Sequence, residues 1–157
     1  MSNKKAFTLI ELLVVVVIIA MLAAISVVAL NNARARARDS KRLADIKQIQ
    51  TALELYFLDK NEYPTANTST NIEGKCLDGG TPGFSTTCTG TVYMAKIPVA
   101  PEPHDSAACT ADNNNYSYSR PTKKKYCLNY CLGADSGGIG AGYNTATPEG
   151  IWKGTCP

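Results

Sequence analysis

From Phe7 to Tyr63 the chain contains no glycine, proline or cysteine, although its 157 residues include 12 Gly, 8 Pro and 6 Cys. A run so long without a breaker predicts one regular element, a helix of about 55 residues and ~80–85 Å. Its end is set by Asn61-Glu62-Tyr63-Pro64, because a proline disfavours helical geometry at the residue before it. Every breaker and every cysteine follows, so residues 64–157 read as a small, turn-rich head. The predicted class is α+β: a helix over about 7–62, then a disulfide-stapled head containing an antiparallel sheet.

The apolar pattern changes along the helix. Residues 12–30 are apolar on all sides apart from Ser26, as a helix buried in lipid or inside a bundle must be. At about 1.5 Å per residue these 19 residues reach ~28 Å, enough to span a bilayer. From Leu43 onward, Ile46, Ile49, Leu53 and Tyr56 recur at helical spacing with Lys47, Gln48, Gln50 and Glu54 between them, which describes one dry face and one wet face. The expected divisions are therefore 7–30, membrane span or bundle core, and 31–63, amphipathic. The polar start "MSNKK" and the position of Ala6 ahead of the apolar run do not match an ordinary secretory signal, whose small-residue cleavage site follows its apolar core. Glu11 is the anomaly, since a carboxylate within a span costs roughly 2.5–3.5 kcal/mol, less near its end.

Charge and cysteine usage disagree about where the head resides. Residues 1–63 hold nine Lys/Arg against six Asp/Glu, and residues 64–157 hold seven of each. Five basic residues follow the span, Arg34, Arg36, Arg38, Lys41 and Arg42, against Lys4 and Lys5 before it. The positive-inside rule would keep the head in the cytoplasm. Six cysteines in so small a head, with no Cys-x2-Cys pair and His104 as the single histidine, favour disulfides and an oxidising compartment over a zinc site. We let the cysteines decide. The basic joint itself reads as a solvated collar at the headgroup level, or as a contact with anionic lipid or with acidic residues of neighbouring subunits.

Within the head, "NNYSYSR" and "KKKYCLNYCLG" predict a hairpin. Tyr126, Leu128, Tyr130 and Leu132 alternate with Cys127, Asn129 and Cys131, a strand pattern. Cys127 and Cys131 then lie about 13 Å apart along one strand, too far to bond each other. Six cysteines allow 15 pairings; we expect Cys76–Cys88 as a local loop, with Cys109, Cys127, Cys131 and Cys156 forming two long-range staples. Asn67-Thr-Ser and Asn115-Tyr-Ser are glycosylation-type triplets of the kind an Asn/Ser/Thr-rich head supplies by chance. Tyr116, Tyr118, Arg120, Lys123, Lys124 and Lys125 form a candidate surface-binding stretch, able in principle to stack bases and hold phosphates of DNA. The rival reading is a hairpin whose tyrosines pack and whose lysines solvate the turn, and the neutral head favours it. No nucleophile motif or Gly-rich phosphate loop is present, so no catalytic residue, cofactor or metal is expected.

"KKAFTLIELLVVVVIIAMLAA" resembles the class III signal of the type IV pilin superfamily, with "YCLNYCLG … GYNTATPEGI" similar to the cysteine-bearing end of some pilin-like proteins. The resemblance implies cleavage by a prepilin peptidase between Ala6 and Phe7, where the family usually has Gly at the position of Ala6. N-methylation of the Phe7 amine would follow. It implies that Glu11 pairs with that amine on a neighbouring subunit, setting the register of a helical homopolymer. The implied partners are the peptidase, a membrane assembly platform and an ATPase-driven machine. The implied location is a single-pass membrane protein that later enters a surface filament. We read a pilus subunit first, and second a pseudopilin of a type II secretion or competence system, or a minor DNA- or adhesin-binding pilin. In some secretion pseudopilins a C-terminal loop holds calcium, and Asp135, Ser136 and the following glycines superficially match it. With one carboxylate there, a plain turn is the simpler reading.

Overall fold

The computed structural model describes residues 7–156 except 67, 81–82, 106–108 and 112. The chain divides into two compact units between residues 34 and 35. Helix α1, Leu9–Lys60, is one 52-residue element running from the first unit into the second. It is unbroken, as the absence of Gly and Pro requires. It ends where Asn61 turns left-handed (φ 55°) and donates its N–H to the Phe57 carbonyl at 2.7 Å. This is the αL cap, most often Gly and sometimes Asn.

In the second unit, the buried positions of α1 are Asp39, Arg42, Asp45, Ile46, Ile49, Ala52, Leu53 and Tyr56. The three- and four-residue spacing is that of a single helix face, but its chemistry changes from ionic to apolar along its length. The apolar part joins one hydrophobic cluster with Tyr63, Tyr116, Tyr118, Tyr126, Leu128, Tyr130 and Leu132. Those residues come largely from a five-stranded antiparallel sheet. Its strands are β1 (Thr70–Asn71), β5 (Ser117–Thr122), β6 (Lys125–Leu132), β7 (Gly142–Thr147) and β8 (Gly150–Lys153), in spatial order β1-β5-β6-β7-β8. A second sheet orders β3 (Phe84–Ser85), β2 (Cys76–Asp78) and β4 (Val92–Met94) as β3-β2-β4. The long helix, antiparallel sheets and disulfides are those of the expected α+β class.

The predicted hairpin is β5–β6, paired from Ser117 opposite Asn129 to Thr122 opposite Lys125. Central strand β6 is buried on both faces from Tyr126 to Leu132. Tyr126, Leu128, Tyr130 and Leu132 enter the hydrophobic cluster. On the alternate positions Cys127 bonds Cys156, Cys131 bonds Cys109, and Asn129 accepts from the Thr145 hydroxyl at 2.8 Å. Cys76 bonds Cys88. The Cα separations of the three bridges, 5.6–6.0 Å, lie within the normal range.

The structure corrects the surface-binding expectation for Tyr116 and Tyr118, since both are fully buried. Their hydroxyls donate inward, Tyr116 to Asp45 Oδ2 and Tyr118 to the Pro64 carbonyl, each at 2.9 Å. Phe84 packs on the Tyr118 ring and Tyr63 on the Tyr126 ring, with centroids 4.7 and 4.8 Å apart. Burial raises the pKa of the Tyr116 and Tyr118 hydroxyls and pushes Tyr126 up to about 12. These rings are core material, and the hydroxyls of Tyr116, Tyr118 and Tyr126 have found partners, whereas the buried Tyr130 hydroxyl has none among the described residues.

The basic collar is corrected in the same way. Arg42 is completely buried. Its Nη1 donates to Asp39 Oδ1 at 2.8 Å and Asp105 Oδ2 at 3.1 Å. Its Nη2 donates to the Pro101 carbonyl at 2.7 Å and Asn114 Oδ1 at 3.2 Å. Asp39 in turn accepts the backbone N–H groups of Gly133 and Ala134, both at 2.9 Å. Arg38 grips Asp105 through Nε, at 3.0 and 2.8 Å to its two oxygens, and through Nη2. Gly133 is needed for this approach, because a Cβ there would lie 2.4 Å from the Asp105 Cβ. Two residues read as solvated collar thus clamp α1 to the 101–105 connector and to the turn after β6.

Removing one partner from a buried ion cluster strands the others. We expect Arg42→Met to destabilise the full chain by about 3–5 kcal/mol, read from urea unfolding in detergent. A loss below about 1 kcal/mol would place Arg42 among ordinary surface charges. Asp105 gives the pH dependence. Its hydrogen bonds from Arg38, with Arg42 adding to them, hold its carboxyl below the usual range. A depressed folded pKa contributes stability that is full above the unfolded value of about 3.9 and is lost as pH falls through the folded one. Burial pushes the Asp45 carboxyl the other way, so that group favours folding more as the pH drops. Asp105→Asn should therefore lower the melting temperature at neutral pH and make the decline below about pH 4 shallower. Parallel pH profiles for variant and parent would contradict the assignment.

Candidate assembly site

Every residue from Phe7 to Arg34 is exposed. The apolar window of α1 has the length and composition to cross a membrane, and none of it is covered by the rest of the chain. Phe7 and Leu9 are 84% and 82% exposed. So large an uncovered apolar surface needs another environment, either lipid or other helices. Ser26, the polar residue in the run, donates its hydroxyl to the Leu22 carbonyl at 2.8 Å, so it brings no unmet donor into that environment.

Glu11 sits in the first turn of α1. Its Oε2 accepts the Thr8 backbone N–H at 2.9 Å and the Thr8 hydroxyl at 2.8 Å. The Thr8 Oγ1 accepts the Glu11 N–H at 3.3 Å, and the Leu12 N–H reaches the Thr8 carbonyl at 3.3 Å. This is a capping box: N-cap Thr8 and N3 Glu11 satisfy each other's orphan donors. The carboxylate also faces the positive end of the helix dipole. Part of the cost of a charge here is thus offset within the chain, while Oε1 makes no hydrogen bond among the described residues. The signal was present in the sequence as Thr8-Leu9-Ile10-Glu11, the S/T-x-x-E pattern ahead of an apolar run, and it was missed.

The expected cleavage partner of Phe7, Ala6, lies outside the described residues, as does Asn67. Phe7 itself precedes the helix. Across the head the proposed nucleic-acid stretch does not assemble. Arg120 Nη1 donates to the Tyr63 carbonyl at 2.8 Å and lies 3.5 Å from Glu62. Lys123 pairs with Glu62 at 3.2 Å and Lys125 with Glu149 at 3.0 Å. Each of these cations has an acidic neighbour, and the tyrosines meant to stack bases are inside. The Asp135 loop closes on itself: Oδ1 accepts the Ala141 N–H at 2.6 Å, and Ser136 pairs with Ile139. No group of three or more metal-ligating side chains occurs among the described residues.

Residues 1–27 match the prokaryotic N-terminal methylation motif. The chain is similar to the type II secretion system core protein G of Vibrio cholerae, 32% identical over 98% of this chain and 94% of that one. The core protein G of Pseudomonas aeruginosa is 34% identical over 85% of each chain. A type IV wide pilus major component of Thermus thermophilus is 46% identical over 63 residues, 40% of this chain and 44% of its own. No solved structure matches.

The capping box predicts that Thr8→Ala will cost the helix start about 1 kcal/mol, with Thr8→Ser close to neutral. Amide exchange at Glu11, in the full chain in detergent, should be several-fold faster in the alanine variant only. Equal exchange in both variants would mean that Thr8 does not cap α1.

Proposed function

Because the chain belongs to the type IV pilin and pseudopilin superfamily, we propose that it is a structural subunit of a pseudopilus, the short filament of a type II secretion machine. The observation that carries this reading is the extent of the match to core protein G, which runs through the head to nearly the full length of both chains. The type IV pilin relative matches over 63 residues, 40% of this chain, so its support reaches less than half of the protein. The surface-pilus reading is therefore second, and it rests on that match alone.

In this reading the N-terminal half of α1 serves twice. It anchors the subunit as a single membrane span, and it then packs against its copies as the filament core. Cleavage between Ala6 and Phe7 by a prepilin peptidase frees an amine, which is then methylated. Glu11 of an incoming subunit pairs with the Phe7 amine of a neighbour, and the unused Oε1 of its capped carboxylate leaves a lone pair for that bond. The cap holds the carboxylate in one orientation before assembly. The growing filament is driven by a membrane platform and its ATPase, and the head supplies contacts outside the membrane.

The test is deletion of the gene in its own host, complemented with parent or Glu11→Val. We expect deletion to abolish export of the secretion system's folded substrates while surface pili persist. The parent chain should begin at N-methylated Phe7 by intact mass. The Glu11→Val chain should be made, cleaved and inserted but give less than about a tenth of the cross-linked multimers, the scale set by stranding one partner of a buried pair. Loss of pili with secretion intact would transfer the protein to the surface-pilus class.

A further inference from the structure

The face of the five-stranded sheet opposite the hydrophobic cluster carries a polar cavity that none of the foregoing uses. Pairing lines up Asn71, Ser117, Asn129 and Thr145 across β1, β5, β6 and β7. Their side chains are already connected: Ser69 Oγ donates to Ser117 Oγ at 3.0 Å, Asn129 Nδ2 to Ser117 Oγ at 3.3 Å, and Thr145 Oγ1 to Asn129 Oδ1 at 2.8 Å. Asn129 and Thr145 are buried, so this chain of hydroxyl and carboxamide groups is a fixed floor. Above it opens a cavity of about 270 Å³, lined by Ser69, Asn71, Asn113, Asn115, Ser117 and Tyr143.

We propose that this cavity binds a neutral saccharide unit. The lining consists of carboxamides, hydroxyls and one phenol ring, with no charged side chain among the described residues. That excludes the ionic recognition by which phosphates, nucleic acids and acidic peptides are held. A carboxamide presents a donor and an acceptor side by side, the complement of two adjacent ring hydroxyls. Asn71 has its Oδ1 occupied by the Glu73 N–H at 2.9 Å, which leaves its two donors free for a ligand. The Asn115 side chain makes no hydrogen bond among the described residues. Half-buried Tyr143 adds an aromatic face of the amphipathic kind that takes the apolar side of a sugar ring. Peptides are recognised by sheet-edge pairing or by apolar side-chain pockets, and this cavity sits on a sheet face with no aliphatic lining. Its volume, near the lower end for ligand sites, suits one ring of a longer glycan.

The experiment is amide NMR on the full chain in a sugar-free detergent. It is titrated separately with maltotriose, cellotriose, triacetylchitotriose and a blocked trialanine peptide as the peptide control. We expect at least one trisaccharide to shift the amides of Asn71, Asn115, Ser117 and Tyr143 together, with Kd near about 1 mM. Asn115→Ala and, independently, Asn71→Ala should each weaken it about tenfold, while Lys124→Ala leaves it unchanged. The proposal is overturned if no trisaccharide moves those amides by roughly 20 mM. It is also overturned if both asparagine variants bind as the parent does, or if the peptide occupies the cavity as tightly as the sugars.

Discussion

The second unit is organised around a guanidinium taken completely out of water. Desolvating Arg42 costs several kcal/mol, and mutual attraction repays it only when geometry is good and the remaining donors find acceptors. Here two carboxylates, two of the surrounding carbonyls and a carboxamide converge on its Nη1 and Nη2, while the buried Nε has no hydrogen-bond partner among the described residues. Such a cluster is a poor source of net stability but a strict source of registry, because its partners come from α1, the 101–105 connector, Asn114 and, through Asp39, the turn after β6. A one-turn slip of α1 against the sheet would leave the apolar stripe from Ile46 to Tyr56 partly matched, since Leu and Ile pack in many arrangements. The ionic end of the same stripe tolerates no such slip. The apolar part supplies the burial, and the ionic part selects one arrangement.

The first unit faces the opposite problem, with apolar surface that nothing in the chain covers. Two polar groups in its apolar stretch are managed locally: Ser26 bonds back to its own helix and Glu11 to its own cap. The Ser26 hydroxyl and the Glu11 carboxylate therefore do not depend on a neighbouring molecule for their first hydrogen bonds. The capping box also changes how Glu11 is to be understood. The carboxylate does not wait unpartnered for a neighbour's amine, because Thr8 already orients it through one oxygen.

Much of this was legible in the sequence because the signals were geometric. The absence of breakers gave the helix, Pro64 its limit, and the alternation from Tyr126 to Leu132 the central strand. The cysteine spacing ruled out Cys127–Cys131. What was missed depended on side chains that carry a polar group on an apolar body. Tyr116 and Tyr118 were read from their basic neighbours, yet Tyr116-Ser117-Tyr118-Ser119 alternates with period two and already put both rings on one face. Arg42 and Asp39 sit on the extension of the Ile46–Ile49–Leu53 face. Charged residues are so seldom fully buried that a burial stripe is read as ending where its chemistry turns ionic. Only the acceptors contributed by Asp105, Pro101 and Asn114, some 60 to 70 residues away in sequence, make that continuation possible, and no local pattern reports them.

The same residues remove the conflict between charge and cysteines. The positive-inside count treats Arg34, Arg36, Arg38, Lys41 and Arg42 as a topological signal. In the folded unit Arg42 is enclosed and Arg38 is held by Asp105, so two of the five are there because the head needs them to dock its helix. Of their acidic partners Asp105 lies in the head and Asp39 on α1 itself, and neither carries weight in a counting rule to which Asp and Glu contribute little. A rule calibrated on loops reads folding residues as address. The three disulfides report on the compartment more directly, since they persist where thiols are oxidised. The arginines that the counting rule reads as an address for the head are among the residues that dock α1 to it.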